Sequence, residues 1–290
     1  MEETKLELDL SKVKVTGLFG YPVEHSLSPA MHNAAFKELG LDYIYLPYEV
    51  EVDNVKEAVC GIKGLGMSGV NVTIPHKEQV TPYLDRLSEE AKLIGAVNTI
   101  QNKGGELIGH NTDGRGFIRS LREEGEFDPK GKSVLIIGAG GASRAVAFQL
   151  GLEGAKEIFI NDLDIKVADD LASDVKSKLG ALKVESVASI KEIAAGVDLI
   201  VDATPIGMFP KVDVSPILSS ESLNSNQVIY DLVYNPKETV LLKEAKKVGA
   251  KGVSGLGMLL YQGAIAFEIW TGEKAPVKVM RKALERGLFS

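Results

Sequence analysis

Val134-Leu135-Ile136-Ile137-Gly138-Ala139-Gly140-Gly141-Ala142-Ser143-Arg144-Ala145 decides how this chain folds. Four consecutive apolar residues suit a strand buried on both faces, and the glycines after them mark a tight turn. Residues 146–150 continue as a helix-compatible apolar stretch. A buried strand, a glycine turn and a helix start together form a site for a dinucleotide pyrophosphate. Glycine lets the backbone approach the ligand, and the helix N-terminus offers unpaired N–H groups and a positive dipole end. A short glycine pattern also recurs in ordinary loops, so its surroundings matter. Residues 158–160 read as the next strand, which runs into Asn161-Asp162. That acid stands about twenty residues beyond the turn, where a ribose-binding carboxylate belongs.

Working outward, apolar strands at 134–137, 158–160, 199–203 and 228–232 alternate with helical patterns at 142–153, 166–178 and 239–248. This is a doubly wound βαβ plan, whose ligands sit at the carboxyl ends of the strands. Upstream, an apolar run at 13–19 ends at Gly20-Tyr21-Pro22, and Ser28-Pro29 opens a helix to about Leu39, with Ser28 as cap and Pro29 as its first residue. Strands are expected at 43–50 and 69–73 with a helix at 53–63 between them, followed by helical patterns at 77–84 and 88–94. Strands at 96–101 and 106–110 flank Lys103-Gly104-Gly105, a hairpin signal. The fold class is therefore α/β. A mostly parallel N-terminal domain (1–113), with an antiparallel departure at the hairpin, precedes a Rossmann-type doubly wound domain (114–254). The helical tail, 255–290, is expected to pack back on the first domain and so to set the active site in a cleft.

The formal net charge of −7 leaves no basic surplus to displace counterions, so nucleic acid is not an expected partner. An anionic small molecule would have to be recognised locally, against the overall field. Cys60 is the only cysteine, which excludes an intrachain disulfide and fits a reducing cytoplasm. The start, residues 1–9, is charged and lacks the apolar core of a signal peptide, and no window approaches a membrane span. His25, His32, His76 and His110 share no metal-ligand spacing and read as structural or surface residues, so no metal is expected.

Polar clusters stand at strand ends and turns, where side chains converge: Ser26-Leu27-Ser28-Pro29, Asn71-Val72-Thr73-Ile74-Pro75-His76-Lys77, Gly95-Ala96-Val97-Asn98-Thr99, His110-Asn111-Thr112-Asp113-Gly114 and Tyr261-Gln262-Gly263. With Gly138–Ala145 they share the chain with Ala203-Thr204-Pro205-Ile206-Gly207-Met208, Asp231-Leu232-Val233-Tyr234-Asn235-Pro236 and Gly255-Leu256-Gly257-Met258. Taken in order, from Gly17 to Trp270, these segments resemble the shikimate dehydrogenase family.

The resemblance implies reversible reduction of 3-dehydroshikimate to shikimate with a nicotinamide dinucleotide, and makes Lys77 and Asp113 the catalytic pair. A lysine in hydrogen-bond reach of the reacting hydroxyl can exchange its proton, and a neighbouring carboxylate orients the amine. Read alone, Lys77 is also compatible with a solvated surface lysine, and Asp113 with a cap of the helix after it. Ser26, Ser28, Thr73, Asn98, Tyr234 and Gln262 match the family's substrate positions. Hydroxyl and amide groups both donate and accept, which suits a ring bearing hydroxyls and a carboxylate. Gly138, Gly140, Gly141, Ala142, Asn161, Asp162, Thr204, Gly207, Met208, Gly255 and Met258 match cofactor positions, although Met258 reads equally as a core methionine.

Family members that prefer the phosphorylated dinucleotide carry Asn-Arg-Thr after the second strand of this domain; here the stretch is Asn161-Asp162-Leu163-Asp164. An aspartate there accepts hydrogen bonds from a ribose hydroxyl and repels a phosphate dianion, with Lys166 and Arg144 as partial offsets. The expectation is NAD rather than NADP. Three other readings stay open: an enzyme for quinate or for both acids; a more distant dehydrogenase; and, in a different class, a non-catalytic redox sensor that binds the dinucleotide to switch a partner. A monomer or a homodimer fits equally.

Overall fold

The apolar run at 13–19 becomes β1 (Lys14–Gly20), an inner strand of a six-stranded sheet. A computed structural model describes residues 11–180, 182–215 and 218–288; the charged start at 1–9 lies outside them. The chain forms two units, one taking the chain up to Thr112 and again from Gln262, the other Asp113–Tyr261. In the first unit follow α1 (Ser28–Glu38), β2 (Tyr43–Glu49), α2 (Val55–Gly64), β3 (Gly69–Val72), β4 (Arg86–Leu87), α3 (Glu89–Ile94), β5 (Thr99–Lys103) and β6 (Glu106–His110). The strand order is β2-β1-β3-β5-β6-β4. β5 runs antiparallel to both neighbours and the remaining pairs are parallel. The hairpin has a physical cause. Gly104 and Gly105 both take positive φ (63° and 94°), as a two-residue turn matched to strand twist requires, and Lys103 faces Glu106 across it.

Two local expectations are corrected here. Ser28 does not cap α1: it is the first helical residue, Leu27 precedes it without a side-chain cap, and Ser26 Oγ accepts the Ser28 N–H at 3.3 Å. Residues 77–84 do not form an α-helix. Only a 3-10 turn at Thr81–Tyr83 forms, because Pro82 removes an N–H that a helix through this stretch would need. The following helix, α3, is capped by Ser88, whose Oγ accepts from Ala91 N at 3.2 Å.

The second unit contains α4 (Asp113–Glu123), β7 (Ser133–Ile137), α5 (Gly141–Leu152), β8 (Glu157–Asn161), α6 (Ile165–Leu179), β9 (Lys183–Ser186), α7 (Ile190–Ala194), β10 (Leu199–Asp202), β11 (Val228–Asp231), α8 (Val240–Lys247) and β12 (Lys251–Ser254). All neighbours are parallel in the order β12-β11-β10-β7-β8-β9. This is the dinucleotide-binding arrangement, in which strand order reverses between β7 and β10 and leaves a crevice at their carboxyl ends. All five residues of β7 are buried, as a central strand covered on both faces requires. The edge strands β9 and β12 escape a hydropathy reading because Lys183, Glu185 and Lys251 interrupt them.

The tail forms α9 (Leu256–Thr271) and α10 (Val277–Leu288). From Gln262 onward it belongs to the first unit, where α10 packs on α1 and Trp270 Nε1 donates to Ile100 O at 3.0 Å. Gly69 makes room for that indole: a Cβ there would stand 2.3 Å from Trp270 Nε1. Among the described residues, no helix is long and apolar enough to cross a membrane.

Candidate active site

A buried polar network runs through the first unit and gathers several of the expected substrate residues. Ser28, 7% exposed, bonds the hydroxyl of fully buried Tyr45, which donates to Asn71 Oδ1 at 2.8 Å. Asn71 Nδ2 donates to Thr99 Oγ1 (3.0 Å) and to the Asn98 carbonyl (3.2 Å). Asn98 is the hub. Its Oδ1 accepts from Thr112 N (2.8 Å) and Thr99 Oγ1 (3.1 Å), and its Nδ2 donates to Thr112 Oγ1 (2.9 Å) and Gln262 Oε1 (3.4 Å). Tyr45, Asn71, Thr99 and Thr112 carry no role in the sequence reading. Their signal is weak: Tyr45 sits inside an apolar strand, and the other three look like ordinary strand-end polar residues. Buried polar groups of this kind must be mutually satisfied, which fixes their geometry.

His32 supports the network from below. It is fully buried and stacked on Tyr45 with centroids 4.4 Å apart, and burial pushes its pKa down to about 3. The same burial raises the Tyr45 phenol beyond its ordinary range. Both groups are therefore neutral at physiological pH.

Ser26 and Thr73 are half-buried on neighbouring turns. Thr73 N donates to Phe19 O at 2.8 Å and its methyl packs over Gly20, where an added Cβ would stand 2.3 Å away. Lys77 lies four residues on and is also half-buried. Its turn is pinned twice: His76 Nε2 donates to Val50 O at 2.6 Å, and the Lys77 carbonyl accepts from Val97 N at 2.8 Å. The Lys77 backbone is thus bonded to the residue before Asn98, while the side chain of Asn98 binds Thr112, the residue before Asp113. Asp113 is buried and opens α4 in the second unit. Tyr234 also lies in the second unit, beyond β11, where burial raises its phenol pKa.

In the second unit the glycine loop joins β7 to α5. Gly138 takes φ 95°, and a Cβ there would meet Thr204 Cγ2 at 3.1 Å and Ala203 at 3.3 Å, so glycine is needed on both counts. Gly140 and Gly141 face open space, with no atom beyond their own chain neighbours and helix backbone within 4 Å of an added Cβ among the described residues. Ser143 Oγ, buried one residue after Ala142, has no hydrogen-bond partner among the described residues. Open backbone at a helix start beside an unpaired buried hydroxyl fits a phosphate group. Asn161 Nδ2 donates to Val187 O at 2.7 Å. Gly207 takes φ 86°, while Met208 is 46% exposed. Gly255 is pressed on Leu232, and Met258 is buried with its backbone bonded to the Tyr230 hydroxyl.

Residues 18–100 match the Shikimate dehydrogenase substrate binding domain, 122–234 the Shikimate / quinate 5-dehydrogenase family, and 255–285 the Shikimate 5'-dehydrogenase C-terminal domain. The shikimate dehydrogenase (NADP(+)) of Methanopyrus kandleri is 52% identical over 278 residues, covering 94% of this chain and 96% of that one. The chain belongs to the shikimate dehydrogenase family. A second relative, the shikimate dehydrogenase (NADP(+)) of Desulforamulus reducens, is 50% identical, with coverage of 95% and 96%. A crystal structure of shikimate dehydrogenase in complex with NADP+ superimposes with a TM-score of 0.89 at 49% identity, covering 95% of this chain and 96% of the other.

The expectation of NAD is thereby corrected, since these two relatives and two more at 50% and 52% identity, from Methanocaldococcus jannaschii and Methanobrevibacter smithii, are all named for NADP(+). The structure gives the physical reason that Asp162 misled. Its Oδ2 accepts from Ala139 N at 2.7 Å and its Oδ1 from Asp164 N at 3.0 Å. The carboxylate braces the glycine loop against the end of β8. Two backbone donors engage the oxygens that the sequence reading assigned to a ribose.

Proposed function

We propose that this family member interconverts shikimate and 3-dehydroshikimate with NADP(H), with Lys77 and Asp113 as the proton-handling pair. The Asn98-centred network carries the reading. It is a rigid set of amide and hydroxyl groups whose mutual bonds fix their orientation, and groups of this kind both donate to and accept from a hydroxylated ring acid. Ser26, Ser28, Thr73, Asn98, Gln262 and Tyr234 hold the acid, with neutral donors on its carboxylate. Lys77, on its pinned turn, exchanges a proton with the reacting oxygen, and Asp113 orients the amine. Bound NADP supplies the redox chemistry, taking up or returning the hydride of the reacting carbon. Gly138, Gly140, Gly141 and Ala142 would hold its pyrophosphate; Asn161, Thr204, Gly207, Met208, Gly255 and Met258 would line the rest of it.

Within this reading Asp162 acts as a brace, so the 2′-phosphate needs a nearby cation. Lys166 fits. It stands in the first turn of α6, two residues after the helix cap Asp164, is exposed, and forms no ion pair among the described residues. Arg144, by contrast, is bonded to Asp174 and stacked over Phe148. Lys166→Ala is expected to raise KM for NADP about tenfold, the scale of one charge-assisted phosphate contact. KM for NAD should stay unchanged, and steady-state kinetics with the two cofactors checks both. The whole reading is tested by a rate matrix of shikimate and quinate against NADP and NAD. The pair shikimate and NADP should give the highest kcat/KM; no NADPH formation with shikimate would overturn the assignment.

A further inference from the structure

Two carboxyl groups stand side by side in the second unit with no basic partner among the described residues. Asp202 and Asp231 are the last residues of β10 and β11, are register partners across these parallel strands, and are 0% and 1% exposed. Asp231 is fully engaged: Oδ1 accepts from Val233 N at 2.9 Å and Oδ2 from Thr239 Oγ1 at 2.5 Å. Asp202 is engaged on one side only. Its Oδ1 accepts from both Thr204 N (3.0 Å) and Thr204 Oγ1 (2.7 Å), and Thr204 Oγ1 in turn accepts from Ile206 N (3.2 Å). Its Oδ2 is buried with no hydrogen-bond partner among the described residues.

The groups facing Asp202 are Asp231 from β11, Thr204 from its own turn, and apolar Ile137, its register partner on β7. Thr239, beyond Asp231 at the start of α8, is neutral. Among the described residues no lysine or arginine pairs with either acid. Two like charges repel strongly at so dry a strand end, so one carboxyl holds its proton to a higher pH than the other. Asp202 has the vacant oxygen to carry it, whereas every oxygen of Asp231 receives a hydrogen bond. Burial and the charge of Asp231 push Asp202 up to about 7, and burial pushes Asp231 up to about 6. The turn suspended from Asp202 packs against Gly138 of the glycine loop.

We propose that Asp202 is a positioning residue for the dinucleotide, suspending the turn from Ala203 to Gly207 against the glycine loop as a neutral acid because a second carboxylate stands opposite. The inference rests on the reading of the glycine loop as the NADP(H) site. Ionisation of Asp202 places two charges at the strand ends, loosens the turn and weakens nucleotide binding. A carboxyl raised in the folded state contributes stability that is fully present below its ordinary range and lost as pH rises towards and through about 7.

The test compares wild type with Asp202→Asn, which keeps the Oδ1 acceptor and cannot ionise. NADPH dissociation constants are measured by fluorescence titration between about pH 6 and about pH 8.5, and unfolding midpoints without nucleotide over about pH 5 to 8.5. The wild-type Kd should rise about tenfold more than that of the variant across this range. Ionisation of the nucleotide's own 2′-phosphate is common to both proteins and cancels. The wild-type Tm should fall by roughly 5 °C relative to the variant as pH rises. Asp202→Ala, which removes the turn's anchor, should bind NADPH weakly at every pH. Parallel Kd profiles for wild type and Asp202→Asn overturn the inference alone. Absence of NADPH binding by wild type at any pH sinks the site reading and this inference with it.

Discussion

Lys77→Ala is expected to lower turnover by about 10²- to 10⁴-fold, the range over which removal of a positioned acid–base group is felt. The reasoning starts from the backbone. His76 fastens the turn to Val50, and the Lys77 carbonyl is fastened to Val97, so the amine extends from a fixed point one residue away from the Asn98 hub. An alanine there removes the amine that the proposed reading makes the proton carrier and leaves those backbone bonds in place. The loss should therefore appear in kcat, with a smaller change in KM for shikimate, because the hydroxyl and amide partners of the ring remain. NADPH affinity should be unchanged by titration, because the residues proposed to hold the nucleotide are untouched. Turnover within about threefold of wild type would remove Lys77 from the reaction.

Much of this was legible in the sequence because burial leaves period and punctuation behind. The run at 134–137 is apolar throughout since β7 is covered on both faces, and Gly104-Gly105 announces its hairpin because positive φ is needed twice. What the sequence hid was partnership. Asp162 reads as a ribose ligand by position, and only the fold shows that Ala139 and Asp164 occupy its oxygens. Tyr45 reads as one more strand residue, yet its hydroxyl links Ser28 to Asn71. Asp202 and Asp231 lie twenty-nine positions apart in the chain (231 − 202), and strand register alone makes them neighbours. The 77–84 stretch failed for a local reason: its apolar spacing suggested a helix that Pro82 forbids.

Asn98→Ala should damage stability and substrate recognition together, and this coupling separates it from Lys77→Ala. The amide is 2% exposed and both of its ends are used, accepting from Thr112 N and Thr99 Oγ1 and donating to Thr112 Oγ1 and Gln262 Oε1. Truncation leaves a buried backbone N–H without its acceptor and releases the Gln262 side chain. An orphaned buried polar group costs about 1–3 kcal/mol, so a loss of about 2–4 kcal/mol is expected in urea unfolding for the set. The urea m-value should stay unchanged, since the surface exposed on unfolding is nearly the same. KM for shikimate should rise by about 10²-fold, because the ring loses a direct partner and the neighbouring hydroxyls lose their orientation. Asn98→Asp is the sharper control: it preserves shape and the Oδ1 acceptor but replaces the donor to Gln262 Oε1 with a second acceptor. If this variant bound shikimate like wild type, the donor end of Asn98 would have no part in arranging the site, and the network would be a feature of stability alone.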